Sequence, residues 1–130
     1  MRLFLLNLLL LWMIVPESLR AEEMMAVITS ASFPFNEVLG REDLDRIYRR
    51  KKLYWGNGEK IIPVNLPVAH PLRRSFSRLV LGALPAELEA YWNEQYFHGI
   101  SPPYVLASEE AVVQFVSHVI SLDAISRAGS

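Results

Sequence analysis

Residues 55–76, WGNGEKIIPVNLPVAHPLRRSF, decide how this chain is read. Trp55-Gly56-Asn57-Gly58 predicts a tight reversal, because Asn-Gly supplies the positive φ such a turn needs. Ile61–Leu66 predicts a buried strand, with Pro63 marking an edge or an irregularity in it. A Pro-bounded loop follows. Pro71 suits the first position of a helix that carries Arg73 and Arg74 in its first turn. A loop that delivers a strand onto a helix start gathers unpaired N–H groups and the positive end of the helix dipole at one point. That is the chemistry of an anion site, and the two arginines strengthen it.

Upstream, Arg2 precedes an apolar run from Leu3 to Val15 broken only by Asn7, and Pro16 ends it. A short polar stretch then leads to Ala21. A charged start, an apolar centre and a small residue at the end are the pattern of a secretory signal peptide over residues 1–21, with cleavage expected after Ala21. Thirteen residues at ~1.5 Å each span roughly 20 Å, short of the ~30 Å hydrocarbon layer. An uncleaved anchor is the competing reading. The sequence has no cysteine, so neither a lipid-tethered N-terminal Cys nor a disulfide is available. A periplasmic protein without a lipid tether or a lasting membrane span is the expectation.

The 109 residues after Ala21 suit one domain with one core, and they show no repeat, low-complexity tract or linker. The whole chain carries 13 Lys+Arg against 14 Asp+Glu; without Arg2, Arg20 and Glu17 the balance is 11 against 13, a net charge near −2. No basic surplus is present to hold a nucleic acid backbone. The basic run Arg49-Arg50-Lys51-Lys52 ends a helical pattern and reads as a solvated terminus suited to the dipole.

Patterning alternates between strand and helix. Met24–Thr29 is strand-like, and Ser30–Asn36 is a loop around Pro34. Gly40-Arg41-Glu42-Asp43 opens a helix whose Leu44, Ile47 and Tyr48 share a face. Leu72, Phe76, Leu79 and Val80 form the inward stripe of the next helix, which Gly82 closes. Leu84, Leu88, Tyr91 and Trp92 form a third stripe, started by Pro85. Tyr104–Leu106 reads as a short strand. Ser108 caps a fourth helix built on Val112, Val113, Phe115, Val116 and Val119. The fold class is therefore α/β, a small mixed and partly parallel sheet flanked by about four helices.

Several segments taken in order carry a resemblance: Glu42-Asp43-Leu44 with Ile47-Tyr48, Tyr54–Gly58, Pro63-Val64-Asn65, Pro71-Leu72-Arg73 with Phe76, and Leu88-Glu89 with Tyr91-Trp92. From about Met24 to Val119 the chain resembles the small, single-lobe phosphate-binding components of bacterial ABC transporters. The resemblance implies a single lobe of the type II periplasmic binding protein-like fold and a phosphate or similar oxyanion as ligand. It implies a link to ABC-type phosphate transport, and a helix start at Pro71-Leu72-Arg73 that meets the anion. His70 stands where relatives tend to have a small hydroxyl residue. Leu122–Ser126 stands where they carry a glycine-containing strand that returns to the sheet, but it lacks those glycines and the aromatic, which leaves the final strand frayed or missing.

The anion-binding candidates are Asn65, His70, Leu72, Arg73 and Arg74. Each has a plainer reading. Asn65 braces its loop, His70 is a helix-start residue with a satisfied ring, and Arg73 pairs with an acid such as Glu59 or lies in solvent. Arg74 is a surface residue. Trp55, Tyr91, Trp92 and Tyr96 are expected in the core. His70, His98 and His118 share no metal-ligand spacing, so neither a metal nor another cofactor is expected. No serine sits in a Gly-x-Ser-x-Gly elbow, and the carboxylates cluster in first helical turns; the chain is not expected to be an enzyme. A lone lobe holds an oxyanion weakly unless two chains face each other. A second expectation stands beside the binder: an interaction protein of the same fold, without ligand chemistry, docking on an envelope partner or on itself.

Overall fold

The computed structural model describes residues 26–30 and 38–128, with side-chain surroundings as far as His118. The expected leader, residues 1–21, and most of the loop around Pro34 lie outside them. Four helices and a two-stranded parallel sheet make up the described chain: α1 (Arg41–Tyr48), β1 (Val64–Asn65), α2 (Pro71–Phe76), α3 (Glu89–Phe97), β2 (Tyr104–Val105) and α4 (Glu109–Ala128). The chain is thus mixed α/β.

Helix α1 starts at Gly40, whose N–H donates to Asp43 Oδ2 at 3.3 Å. It ends with two reversed bonds, Lys51 N–H to Arg46 O at 2.7 Å and Arg50 N–H to Ile47 O at 3.0 Å. This is the Schellman arrangement, which needs a left-handed residue where glycine is usual. Here that residue is Arg50, at φ 61°. Its Nη1 donates to Ile61 O at 3.4 Å.

The basic run is more than a solvated terminus. Arg49 Nε donates to Asp45 Oδ1 and its Nη2 to Leu81 O, both at 2.8 Å. The guanidinium also lies over the Tyr91 ring. Lys52 meets Asp43 at 3.6 Å and stands over Trp55. Only half-buried cations with carbonyl and ring partners do this, and charge periodicity alone does not reveal such partners.

The Trp55 reversal forms as expected. Gly58 N–H reaches Trp55 O at 3.0 Å and Trp55 N–H reaches Glu59 O at 2.8 Å. Gly58 takes the positive φ of 85°, and Asn57 Oδ1 accepts from Glu59 N–H. Tyr54 and Lys60 form an antiparallel bridge across the turn. The strand beyond is shorter than Ile61–Leu66. Only Val64 and Asn65 enter a ladder, paired parallel with Tyr104 and Val105. Ile61 and Pro63 are buried outside the ladder. Residues 26–29, the described part of the strand expected at Met24–Thr29, enter no ladder.

The inward stripe of the second helix is corrected by its geometry. After Phe76 the helix widens into a π-helical turn, Ser77–Leu81. The longer period rotates Leu81 inward and leaves Leu79 51% exposed. Phe76, Val80, Leu81 and Leu88 form the core, with Leu44, Tyr48, Ala83 and Trp92 packed against it. Ser77, fully buried, donates to Ala83 O at 2.6 Å. Gly82, at φ 68°, closes the turn. Trp55, Tyr91 and Trp92 are half-buried, whereas Tyr96 points outward. Ser108 caps α4, its Oγ accepting from Ala111 N–H at 3.1 Å. Helix α4 then runs through Leu122–Ser126 to Ala128, so the segment where the resemblance places a returning strand is helical.

Candidate functional site

Strand β1, the loop after it and the start of α2 come together against the first turns of α4. Between them lies a groove of about 380 Å³ whose lining includes Ile28, Tyr48, Asn65, Leu66, Leu72, Arg73, Phe76, Glu109, Val112 and Val113. A cavity of equal volume lies across Val64, among Leu44, Ile47, Trp55, Ile61, Phe115 and Val116, with Glu59 and Lys60 at its edge. Tyr48 and Val64 line both. The Tyr48 hydroxyl donates to Val64 O at 3.0 Å, and its ring meets Phe76 at 4.6 Å between centroids. Burial pushes this phenol above its ordinary range, against the pull of Arg73.

His70 takes up two of the amides at the start of α2. Pro71 has no N–H, and Leu72 N–H donates to His70 Nδ1 at 3.2 Å. Arg74 N–H donates to His70 O at 3.1 Å. With Nδ1 accepting, the neutral ring carries its proton on Nε2, which faces Glu109 Oε1 at 3.4 Å. His70 therefore caps α2 and ties it to α4. Asn65 is buried at 8% exposure, and its carbonyl accepts from Leu106 N–H at 2.8 Å, extending the β1–β2 pairing. Arg74 is exposed, and Leu72 offers the groove its side chain rather than a spare amide.

Arg73 differs from its neighbours. Its Nη1 donates to Leu66 O at 3.1 Å. Its Nε is buried with no hydrogen-bond partner among the described residues. No carboxylate lies within ion-pair distance of it among the described residues, and Glu59 lines the other cavity. Burial holds the guanidinium below its ordinary range, partly countered by the nearby Tyr48 phenol. A half-buried cation without an anion is costly, and a bound anion would offset that cost. Of the five residues the sequence singles out, Asn65, Leu72 and Arg73 line one groove, His70 borders it through Glu109, and Arg74 turns away. Sequence reading missed Glu109, Val112 and Val113 as groove residues, since helical periodicity marks an apolar face without saying what it faces.

No group of three or more His, Cys, Asp or Glu is placed to hold a metal among the described residues. No described helix is long and apolar enough to cross a membrane. Comparison with protein-family models, with curated proteins and with solved structures finds no match to this chain.

Proposed function

We propose that the chain is a periplasmic solute-binding module that holds a small anion at Arg73. The proposal includes the finer architecture, a single lobe of the type II periplasmic binding protein-like kind exported by the leader at residues 1–21, and a non-catalytic role beside ABC-type transport. The single observation that carries the binding role is the half-buried Arg73 guanidinium, which lines an open groove without any carboxylate partner among the described residues. The β1–loop–α2 connection supports it too, because it brings Asn65 and Arg73 to the same groove. Binding rests on the side chain of Arg73 rather than on the backbone of the α2 start, which His70 already caps. A thermal-shift screen with phosphate, sulfate and short- and medium-chain carboxylates tests the role. A ligand at 100 times its dissociation constant adds about 2.7 kcal/mol of stability. A flat response across the whole screen refutes it.

A second reading, an envelope interaction protein of the same fold, is favoured by a different feature. Tyr96 and Phe97, at the end of α3, stand 73% and 86% exposed and meet edge-to-face at 6.3 Å. Exposed aromatic pairs of this kind serve protein interfaces well. Light scattering that shows a monomer, together with a periplasmic pull-down that recovers no partner, counts against this reading.

A further inference from the structure

The groove at Arg73 is poorly suited to an inorganic oxyanion. Phosphate and sulfate are strongly hydrated, and stripping that water requires many donors arranged around the ion. This groove presents one guanidinium, with Nη1 already given to Leu66 O. Its rim carries the Glu109 carboxylate, whose side chain is 58% exposed and which repels a second negative charge. Apart from Asn65 and Tyr48, the remaining walls are aliphatic or aromatic, among them Ile28, Leu66, Leu72, Phe76, Val112 and Val113. Ile28, Leu72 and Val113 are all exposed there, so apolar surface faces water along the groove.

We propose that this groove binds a monoanionic carboxylate bearing an apolar tail, such as a medium-chain acyl or arylalkyl acid. The carboxylate pairs with the guanidinium of Arg73, and the tail lies along Leu66, Val112 and Val113. The proposal rests on the anion-binding reading of Arg73 and deepens it by naming the ligand class. Three features agree on that class. A single cation matches a single negative charge, and a planar carboxylate matches the guanidinium fork. Glu109 disfavours dianions at the same rim. A volume of about 380 Å³ lies in the range of small-ligand sites and exceeds what a bare ion fills. Burying the tail releases water from apolar walls, the main driving force for such a ligand.

The test is calorimetric titration and thermal shift of the full chain with four probes: sodium octanoate, sodium acetate, sodium phosphate and 1-octanol. Octanoate should raise the melting temperature by several degrees and bind at least tenfold more tightly than acetate or phosphate. Octanol should give a smaller response than octanoate. In Arg73→Met the octanoate affinity should fall at least tenfold while the octanol response persists. Because Arg73 also holds Leu66 O, a second variant guards against loss of folding. Val113→Glu, at an exposed wall position, should cut octanoate binding comparably and leave the circular dichroism spectrum unchanged. Equal affinity for phosphate, acetate and octanoate would keep Arg73 as an anion site and overturn the acyl-tail inference. An octanol response as large as that of octanoate, octanoate binding that survives Arg73→Met, or no response to any probe would overturn both.

Discussion

Replacing Tyr48 by Phe removes one hydroxyl from the point where α1, β1 and α2 meet. The ring, and its contact with Phe76 at 4.6 Å, is kept. What is lost is the bond to Val64 O at 3.0 Å, which joins residues 16 apart in sequence. A hydrogen bond of this kind contributes about 1 kcal/mol net, and two to three times that when the orphaned partner stays dry. Val64 lines both cavities, so water can reach the freed carbonyl, and the lower figure applies. For a domain of this size a loss of ~1 kcal/mol lowers the melting temperature by about 4–8 °C.

The same substitution has a signature in pH. Burial raises the Tyr48 phenol in the folded chain, and donation to Val64 O favours its protonated form. The folded state therefore binds that proton more tightly than the unfolded state. The resulting stability is fully present below the ordinary tyrosine value of about 10 and is lost as pH rises through the higher folded value. Wild type should lose stability above about pH 10, and Tyr48→Phe should lose less over the same interval. Tyr91, raised mainly by burial, supplies the slope that remains in the variant. Urea unfolding at pH 7, 9, 10 and 11 measures both arms. Equal midpoints at pH 7, or alkaline declines of equal steepness, would refute the role given to this hydroxyl.

Two further substitutions probe local geometry. Arg50→Gly should raise stability by about 0.5–1 kcal/mol, because Arg50 occupies a left-handed position and its 3.4 Å bond to Ile61 O is long. A drop of more than 1 kcal/mol in urea unfolding would mean that bond matters more than the backbone. Ser77→Ala should cost about 1–3 kcal/mol, since it orphans the part-buried Ala83 O and loosens the π-helical turn. An unchanged melting temperature by differential scanning calorimetry would show the turn is held by packing alone.

Much of the local structure was legible because its causes are local. Gly58 and Gly82 mark their reversals through backbone freedom, and both adopt positive φ. Pro71 and Ser108 mark helix starts by chemistry confined to one turn. The elements that sequence reading missed depend on distant partners. Leu79 lies outward because the π-helical turn shifts the period, and that turn is clamped by Ser77 on Ala83. Arg49 reads as a solvated charge until Leu81 O and the Tyr91 ring arrive from 32 and 42 residues away. Leu122–Ser126 lacks the glycines and aromatic of the strand that the resemblance would put there, and α4 continues through it.

The stretch 55–76 by itself determined a reversal, a strand and a proline-started helix, because turn chemistry and the proline ring act within a few bonds. It also identified Arg73 as a cation near that helix start. Whether the cation is paired, and what lies beside it, was decided only by tertiary structure. Charge pairing and cavity walls are set by residues the chain brings from afar: Tyr48 from α1, and Glu109, Val112 and Val113 from α4. Those residues turn a helix-start arginine into a half-buried cation on a largely apolar groove, without a carboxylate partner among the described residues.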